Sequence, residues 1–218
     1  MNLEEIIKTR RSIRIFQDRK VEFSLIEKII ELATYAPSAC NIQGWRFIIV
    51  EDEKIKQELV DQGGTILIKN APNGILILYD NRTKELEYSD YIQSAAAAIQ
   101  NIHLAAHSLG LGTCWLCHLP PKRKLRKIFN IPRCFSPIAY VLIGYKQKEP
   151  VDVPRKHKTK ELIGYDEFPT SVPIEKISRT GLWIKRILIR IYHFMPKFIR
   201  VLFLNKYIDK KFVKKFEN

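Results

Sequence analysis

Between positions 10 and 14 the chain reads Arg-Arg-Ser-Ile-Arg, which puts three guanidinium groups and a hydroxyl within five residues. A guanidinium grips a phosphate through two parallel hydrogen bonds, and three of them leave a cation for a second anionic centre on the same ligand. Taken alone, Arg10, Arg11, Ser12 and Arg14 also suit a solvated basic turn. A second segment favours binding. In APSACNIQGW, from Ala36 to Trp45, Ser38, Asn41 and Gln43 fall in an irregular stretch between a helix end and a strand. Their amide and hydroxyl groups suit the edge of a flat heterocycle, and loops so placed commonly carry sites.

Other chemistries fit less well. The sequence has no G-x-S-x-G elbow, no phosphate loop with its lysine, and no G-x-G-x-x-G after a strand, so an activated serine or a nucleotide fingerprint is not expected. His103 and His107 stand four apart on a helix, as zinc ligands can, but without the glutamate or third ligand of a zinc site. They read as partner-facing or capped helix histidines. Cys114 and Cys117 have redox spacing but no second pair, and Trp115-Leu116 between them suits a strand, so they read as buried structural thiols.

The frame for these groups alternates helix and strand signals. Leu3, Ile6 and Ile7 share a helical face from Asn2 to about Lys8, and Ser24 with Glu27 forms a capping-box pattern that opens a second helix through Ala33. Strands are expected from Trp45 (WRFIIVED), Gly74 (GILILYD) and Pro137 (PIAYVLIGY). Between the last two, the alanine-rich run from Ser89 to Gly112 reads as one long helix with a glycine stop, its small residues allowing close approach of another helix. Lys146 to Lys160 is polar and contains proline, an extended segment leaving the core.

A chain of 218 residues with 46% hydrophobic content can bury a sizeable core, and its short apolar runs exclude a spanning helix. The start MNLEEIIKTRR lacks the form of a signal peptide, and the four cysteines read as reduced thiols. A cytoplasmic protein is the expectation. The net charge of +14 is unevenly placed: residues 171–218 hold 12 − 3 = +9 and the first 170 only 25 − 20 = +5. That split points to a near-ordinary body with a basic C-terminal appendage.

Taken in order, RRSIRIF (Arg10 to Phe16), APSACNIQGWRF (Ala36 to Phe47), NIHLAAHSLGLGTCW (Asn101 to Trp115), IGY (Ile143 to Tyr145) and PRK (Pro154 to Lys156) resemble the FMN-dependent nitroreductase family over roughly the first 165 residues. The resemblance implies an α+β sandwich, with a central, mostly antiparallel sheet flanked by helices, built as an obligate homodimer with FMN at the subunit interface. It also implies NADH or NADPH as reductant and an electron-poor acceptor such as a nitroaromatic, a quinone or one biosynthetic metabolite. By the same resemblance Arg10 and Ser12 hold the FMN phosphate and ribityl end, Arg11 supports that loop, and Arg14 sits by the flavin N1/O2 edge. Pro37, Ser38, Asn41 and Gln43 approach from the partner subunit. Backbone N–H groups after Trp115, at Leu116 and Cys117, meet N5 and O4, and Arg155 and Lys156 return to the phosphate. No metal is implied. Two departures stand out: Gly44 replaces the family's usual proline, which loosens the loop into Trp45, and Cys117-His118 stands where glycine is frequent. His118 is there a candidate proton donor to substrate.

These readings divide the chain into an FMN-binding domain, 1–165, and a basic amphipathic extension, 166–218. In the extension Arg186, Arg190, His193, Lys197 and Arg200 make a cationic stripe, Ile187, Leu188, Ile191, Phe194, Phe198, Val201 and Leu202 cover much of the rest, and Pro196 splits the run into two helices. Wrapping over a partner subunit and lying on an anionic membrane, peripheral on its inner face, are both open; nucleic acid is disfavoured for lack of aromatic platforms. A non-enzymatic basic module is the alternative class.

Overall fold

The computed structural model describes residues 2–82, 87–170 and 178–195. Compactness divides these into two units, one ending at Pro150 and one spanning Val151–Pro196.

The first unit begins with helix α1 (Leu3–Thr9), whose N-terminus is capped by Asn2 Oδ1 accepting from the Glu5 N–H at 2.9 Å. Helix α2 spans Phe23–Thr34, but the expected capping box of Ser24 and Glu27 does not form: Glu22 is the N-cap, with no side-chain cap bond. A tertiary contact fixes this start. The Glu22 carboxylate accepts from Tyr145 Oη at 2.5 Å and from Arg19 at 2.6 Å, and these two bonds hold its pKa at about 2.

Four strands follow in one sheet: β1 (Trp45–Val50), β2 (Asn73–Asp80), β3 (Leu111–Leu116) and β4 (Phe135–Tyr145), in the order β1-β2-β4-β3 with every pairing antiparallel. Three of these were expected. The fourth, β3, takes only its first two residues, Leu111 and Gly112, from the span expected as the end of the long helix, which in fact stops earlier: α4 spans Asp90–Ser108, and Gly110 at φ 80° turns the chain directly into β3.

Side-chain alternation sorts the core onto both faces of the sheet. Ile75, Ile77, Ala139, Val141 and Ile143 pack with Ile26 and Ile29 of α2 and Ala98, Ile99 and Ile102 of α4. Leu76, Leu78, Tyr140 and Leu142 face the other way, against Leu59 of α3 (Glu53–Asp61) and Leu125 of α5 (Lys122–Phe129). Buried on both faces, β2 and β4 are the near-continuous apolar runs visible in the sequence. Pro137 is accommodated because Ile138 is bulged out between the Ile77 and Leu78 pairings, and β3 pairs with β4 only from Tyr140 onward, so no ladder bond is lost there. Lys56, fully buried, donates to the carbonyls of Ala71 and Pro72 and to Glu53, closing the gap between α3 and the approach to β2.

The second unit opens with Val151–Lys158 in no regular structure, turns through Thr159–Leu162, and contains helix α6 (Arg179–Phe194), whose first turn is capped by Ser178 Oγ accepting from the Gly181 N–H at 3.2 Å. The second expected helix, with Lys197, Phe198, Arg200, Val201 and Leu202, lies outside the described residues, as do the side chains of His193 and Phe194.

Candidate active site

The segment Arg10–Phe16 is laid along the outer edge of β3 and pinned at several points. Ser12 pairs with Thr113, the Ile13 N–H donates to Thr113 O at 2.9 Å, and the Gln17 N–H donates to Tyr145 O at 2.9 Å. Ile13 and Phe16 turn into the core, which leaves Arg10, Arg11 and Arg14 half-buried and Ser12 exposed. Close approach depends on two glycines: a Cβ on Gly112 would stand 2.8 Å from Ile13 Cγ1, and one on Gly144 would stand 2.9 Å from Phe16 Cδ1. Asn70 Nδ2 donates to Arg14 O at 3.1 Å, a support from a turn 56 residues away that no local sequence signal announces. The fields of Arg10 and Arg14 both reach Cys114 on β3, where they oppose the upward push of burial on its thiol. The four sequence-predicted residues therefore form one cationic edge beside β3.

The two helical histidines part ways behind that edge. His103 is buried, with Nδ1 at 2.6 Å from Thr113 Oγ1 and its ring stacked on Trp115 at 6.1 Å between centroids. His107 is half-buried, with Nε2 at 2.8 Å from Thr9 Oγ1; that hydroxyl donates to Glu5 O, so it accepts from His107. Desolvation first, and then the Arg10 charge, bring the His103 pKa down to about 4. The sign for stability follows. The folded value lies below the ordinary 6.5, so the contribution of His103 is complete above pH about 6.5 and is lost as the pH falls toward about 4, where only the unfolded chain takes up the proton. Glu22 and Asp80, both held at about 2, act in a lower window. Urea midpoints should therefore fall between pH 6.5 and 4.5, and His103→Asn should remove most of that slope, with the residue left by His107, which is shifted in the same direction. A variant slope equal to that of the wild type would exclude His103 as its source.

At the C-terminal end of β3, Leu116 is buried whereas Cys117 and His118 are exposed. The expected pair of buried thiols is thus half right: Cys114 is in the core, but Cys117 has already left the strand. The His118 carbonyl accepts from the Thr65 N–H at 3.1 Å, which fixes the backbone of this exit.

The other predicted segment lies elsewhere. Pro37, Ser38, Asn41 and Gln43 lead into β1, the opposite edge of the sheet, three strand spacings or about 14 Å from β3. Here the backbone is strained: Cys40, Asn41 and Gln43 all have φ near +50°. Hydrogen bonds hold it so, from the Gln43 N–H to Ser38 Oγ (3.1 Å), from Gln43 Nε2 to Asn41 Oδ1 (2.8 Å) and from the Ala39 N–H to Ser94 Oγ on α4 (3.0 Å). Gly44 does not loosen this loop. It is buried, its carbonyl accepts from the Asp80 N–H at 2.9 Å, and a Cβ there would meet Tyr79 and Asp80 at 3.0 Å. Arg155 and Lys156 belong to the second unit, where both are exposed.

The class so defined is an α+β sandwich with cations along one edge of an antiparallel sheet and a strained, amide-rich loop entering the other. Comparison with known proteins gives it a family. The nitroreductase family model matches residues 7–62 and 62–145, and the chain belongs to that family. A Methanothermobacter thermautotrophicus protein, provisionally named an NADH dehydrogenase/NAD(P)H nitroreductase, is 37% identical over 155 residues, 69% of this chain and 80% of its own length. The FMN reductase [NAD(P)H] of Bacillus subtilis is 29% identical over 175 residues, 70% of each chain. Among solved structures, the FMN-dependent nitroreductase of Clostridium difficile R20291 superposes with a TM-score of 0.64 at 29% identity, over 76% of this chain and 100% of its own.

Proposed function

We propose that the chain works as a homodimer that reduces a small electron-poor acceptor, a nitroaromatic, a quinone or one biosynthetic metabolite, in two half-reactions at one site. It is an FMN-dependent NAD(P)H oxidoreductase, in keeping with its family. Bound FMN supplies the chemistry that a polypeptide lacks, accepting hydride from the nicotinamide and giving it up to the acceptor. The donor set fits that group: two or more guanidinium groups beside a hydroxyl for a phosphate, and a further cation along the same edge.

The observation that carries this reading is the gathering of Arg10, Ser12 and Arg14 on the outer edge of β3. On it, Arg10 and Ser12 bind the phosphate and ribityl end, Arg11 braces them through its bond to Arg10 O, and Arg14 offsets negative charge at the N1 edge. Backbone N–H groups at Leu116 and Cys117 orient the ring. Pro37, Ser38, Asn41 and Gln43 come from a second copy, because within one chain they enter the far edge of the sheet. Leu3 and Ile7 on α1 and Ile92 on α4, exposed in a single chain, support such a pairing. His118, exposed beside the exit of β3, returns a proton to reduced product in this reading. Partners are thus a second copy, the acceptor and, through the C-terminal extension, an anionic surface; nucleic acid is not among them. The setting is cytoplasmic, peripheral on the inner membrane face.

Purified protein should be yellow and dimeric by light scattering. Anaerobic addition of NADH or NADPH should bleach the flavin with two electrons per site, and a nitroaromatic or quinone should restore the colour. Colourless protein that does not take up FMN would leave the basic-module reading in its place.

A further inference from the structure

Helix α6 carries two faces that the flavin reading does not use. At about 100° per residue, Trp183, Ile187, Ile191, Ile184 and Leu188 cover an arc of about 140°, and Arg186 with Arg190 forms a narrow stripe beside it. Most of the apolar arc is open: Trp183 is 65% exposed, Leu188 58%, Ile184 51% and Ile191 46%, with Ile187 half-buried, and both arginines are exposed. Arcs this wide on a globular protein's helix are ordinarily buried against a core. No Asp or Glu occurs from Ser178 to Met195.

We propose that α6 lies in the plane of an anionic lipid bilayer, with Trp183, Ile184, Ile187, Leu188 and Ile191 in the acyl boundary and Arg186 and Arg190 among the headgroups. This rests on reading the extension as a surface contact and is independent of the flavin chemistry. Three observations choose the occupant. Charge disfavours a second copy as the occupant, since residues 171–218 at +9 would dock on residues 1–170 at +5. The fold does not need the extension as a clamp: the family match ends at residue 145, and a solved relative is matched over its whole length by 76% of this chain. Length rejects a span, because 16 residues rise about 24 Å against a hydrocarbon thickness of about 30 Å, and among the described residues no helix is long and apolar enough to cross.

The test uses full-length protein loaded with FMN, sedimented with vesicles of phosphatidylcholine alone or with one third phosphatidylglycerol. Binding should favour the anionic vesicles by tenfold or more at low salt and weaken as salt rises. Arg186→Gln with Arg190→Gln should lose most of that preference, about thirtyfold at ~1 kcal/mol per arginine. Leu188→Glu should abolish binding to both vesicles while keeping the flavin spectrum and dimer of the wild type; should it misfold, Ile184→Ser serves as the milder variant and should weaken binding several-fold. Equal binding to both vesicles, or none, overturns the proposal. So does a higher oligomer that Leu188→Glu dissolves, which would make the occupant a second copy, or displacement from anionic vesicles only by single-stranded RNA at matched charge, which would make it nucleic acid.

Discussion

Replacing Gly74 by alanine should cost about 3 kcal/mol of folding stability, the upper range for overpacking a dense core. Gly74 sits in β2 with Val50 on one side and Leu142 on the other, so its backbone has no room to retreat. A Cβ built there falls well inside van der Waals contact with Oη, Cζ and Cε1 of Tyr140, a side chain only 1% exposed. Tyr140 cannot swing away without opening the face that holds Leu76 and Leu142. For a chain of this size the loss corresponds to a melting point about 6–12 °C lower, read by thermal unfolding. Tyr140→Leu in the same background should recover part of it, whereas a Gly74→Ala protein melting within about 2 °C of wild type would show that the core yields. Tyr140→Phe is the contrasting case. Its hydroxyl is buried with no hydrogen-bond partner among the described residues, so removing it should be neutral or slightly stabilising.

Arg10→Ala should weaken FMN retention by tenfold to over a hundredfold, the equivalent of the ~1.5–3 kcal/mol of a hydrogen bond to a charged group. The variant should stay folded, because the segment is pinned through backbone groups of Ile13, Arg14 and Gln17. Arg14→Ala should act differently, leaving retention near wild type but lowering the flavin reduction potential, with Arg14→Lys recovering much of it. The checks are flavin released on dialysis for the first and a redox titration against a reference dye for the second. Unchanged retention in Arg10→Ala would remove the phosphate assignment, and equal potentials in Arg14→Ala and wild type would remove the N1 assignment.

How much of this was legible beforehand varies with how local each signal is. The strands from Trp45, Gly74 and Pro137 were visible as dense β-branched runs, and two of them are continuous because β2 and β4 are buried on both faces. β3 is legible only at Trp115-Leu116, because its start, Leu111-Gly112, continues the helical run and only the left-handed Gly110 separates the two. The start of α2 was misplaced because Ser24 and Glu27 offer a local cap, while the actual start is set by Glu22 reaching Tyr145, a residue 123 positions on. Gly44 was read as slack for the same reason: its packing partners, Tyr79 and Asp80, arrive from another strand.

Residue types and their order set the chemistry available: a run of cations with a hydroxyl, an amide-bearing loop, and an extension both apolar and basic. Residue type and near-neighbour spacing are local properties, and a family's motifs are written in them. Tertiary structure decided what those groups stand beside. Arg10, Ser12 and Arg14 became one edge because Gly112 and Gly144 let their segment lie against β3 and β4, and because Asn70 reached across to hold it. The loop from Pro37 to Gln43 was carried to the opposite edge by the order β1-β2-β4-β3. Strand order is set by which apolar faces pack across long sequence separations, and no local window of sequence contains that information.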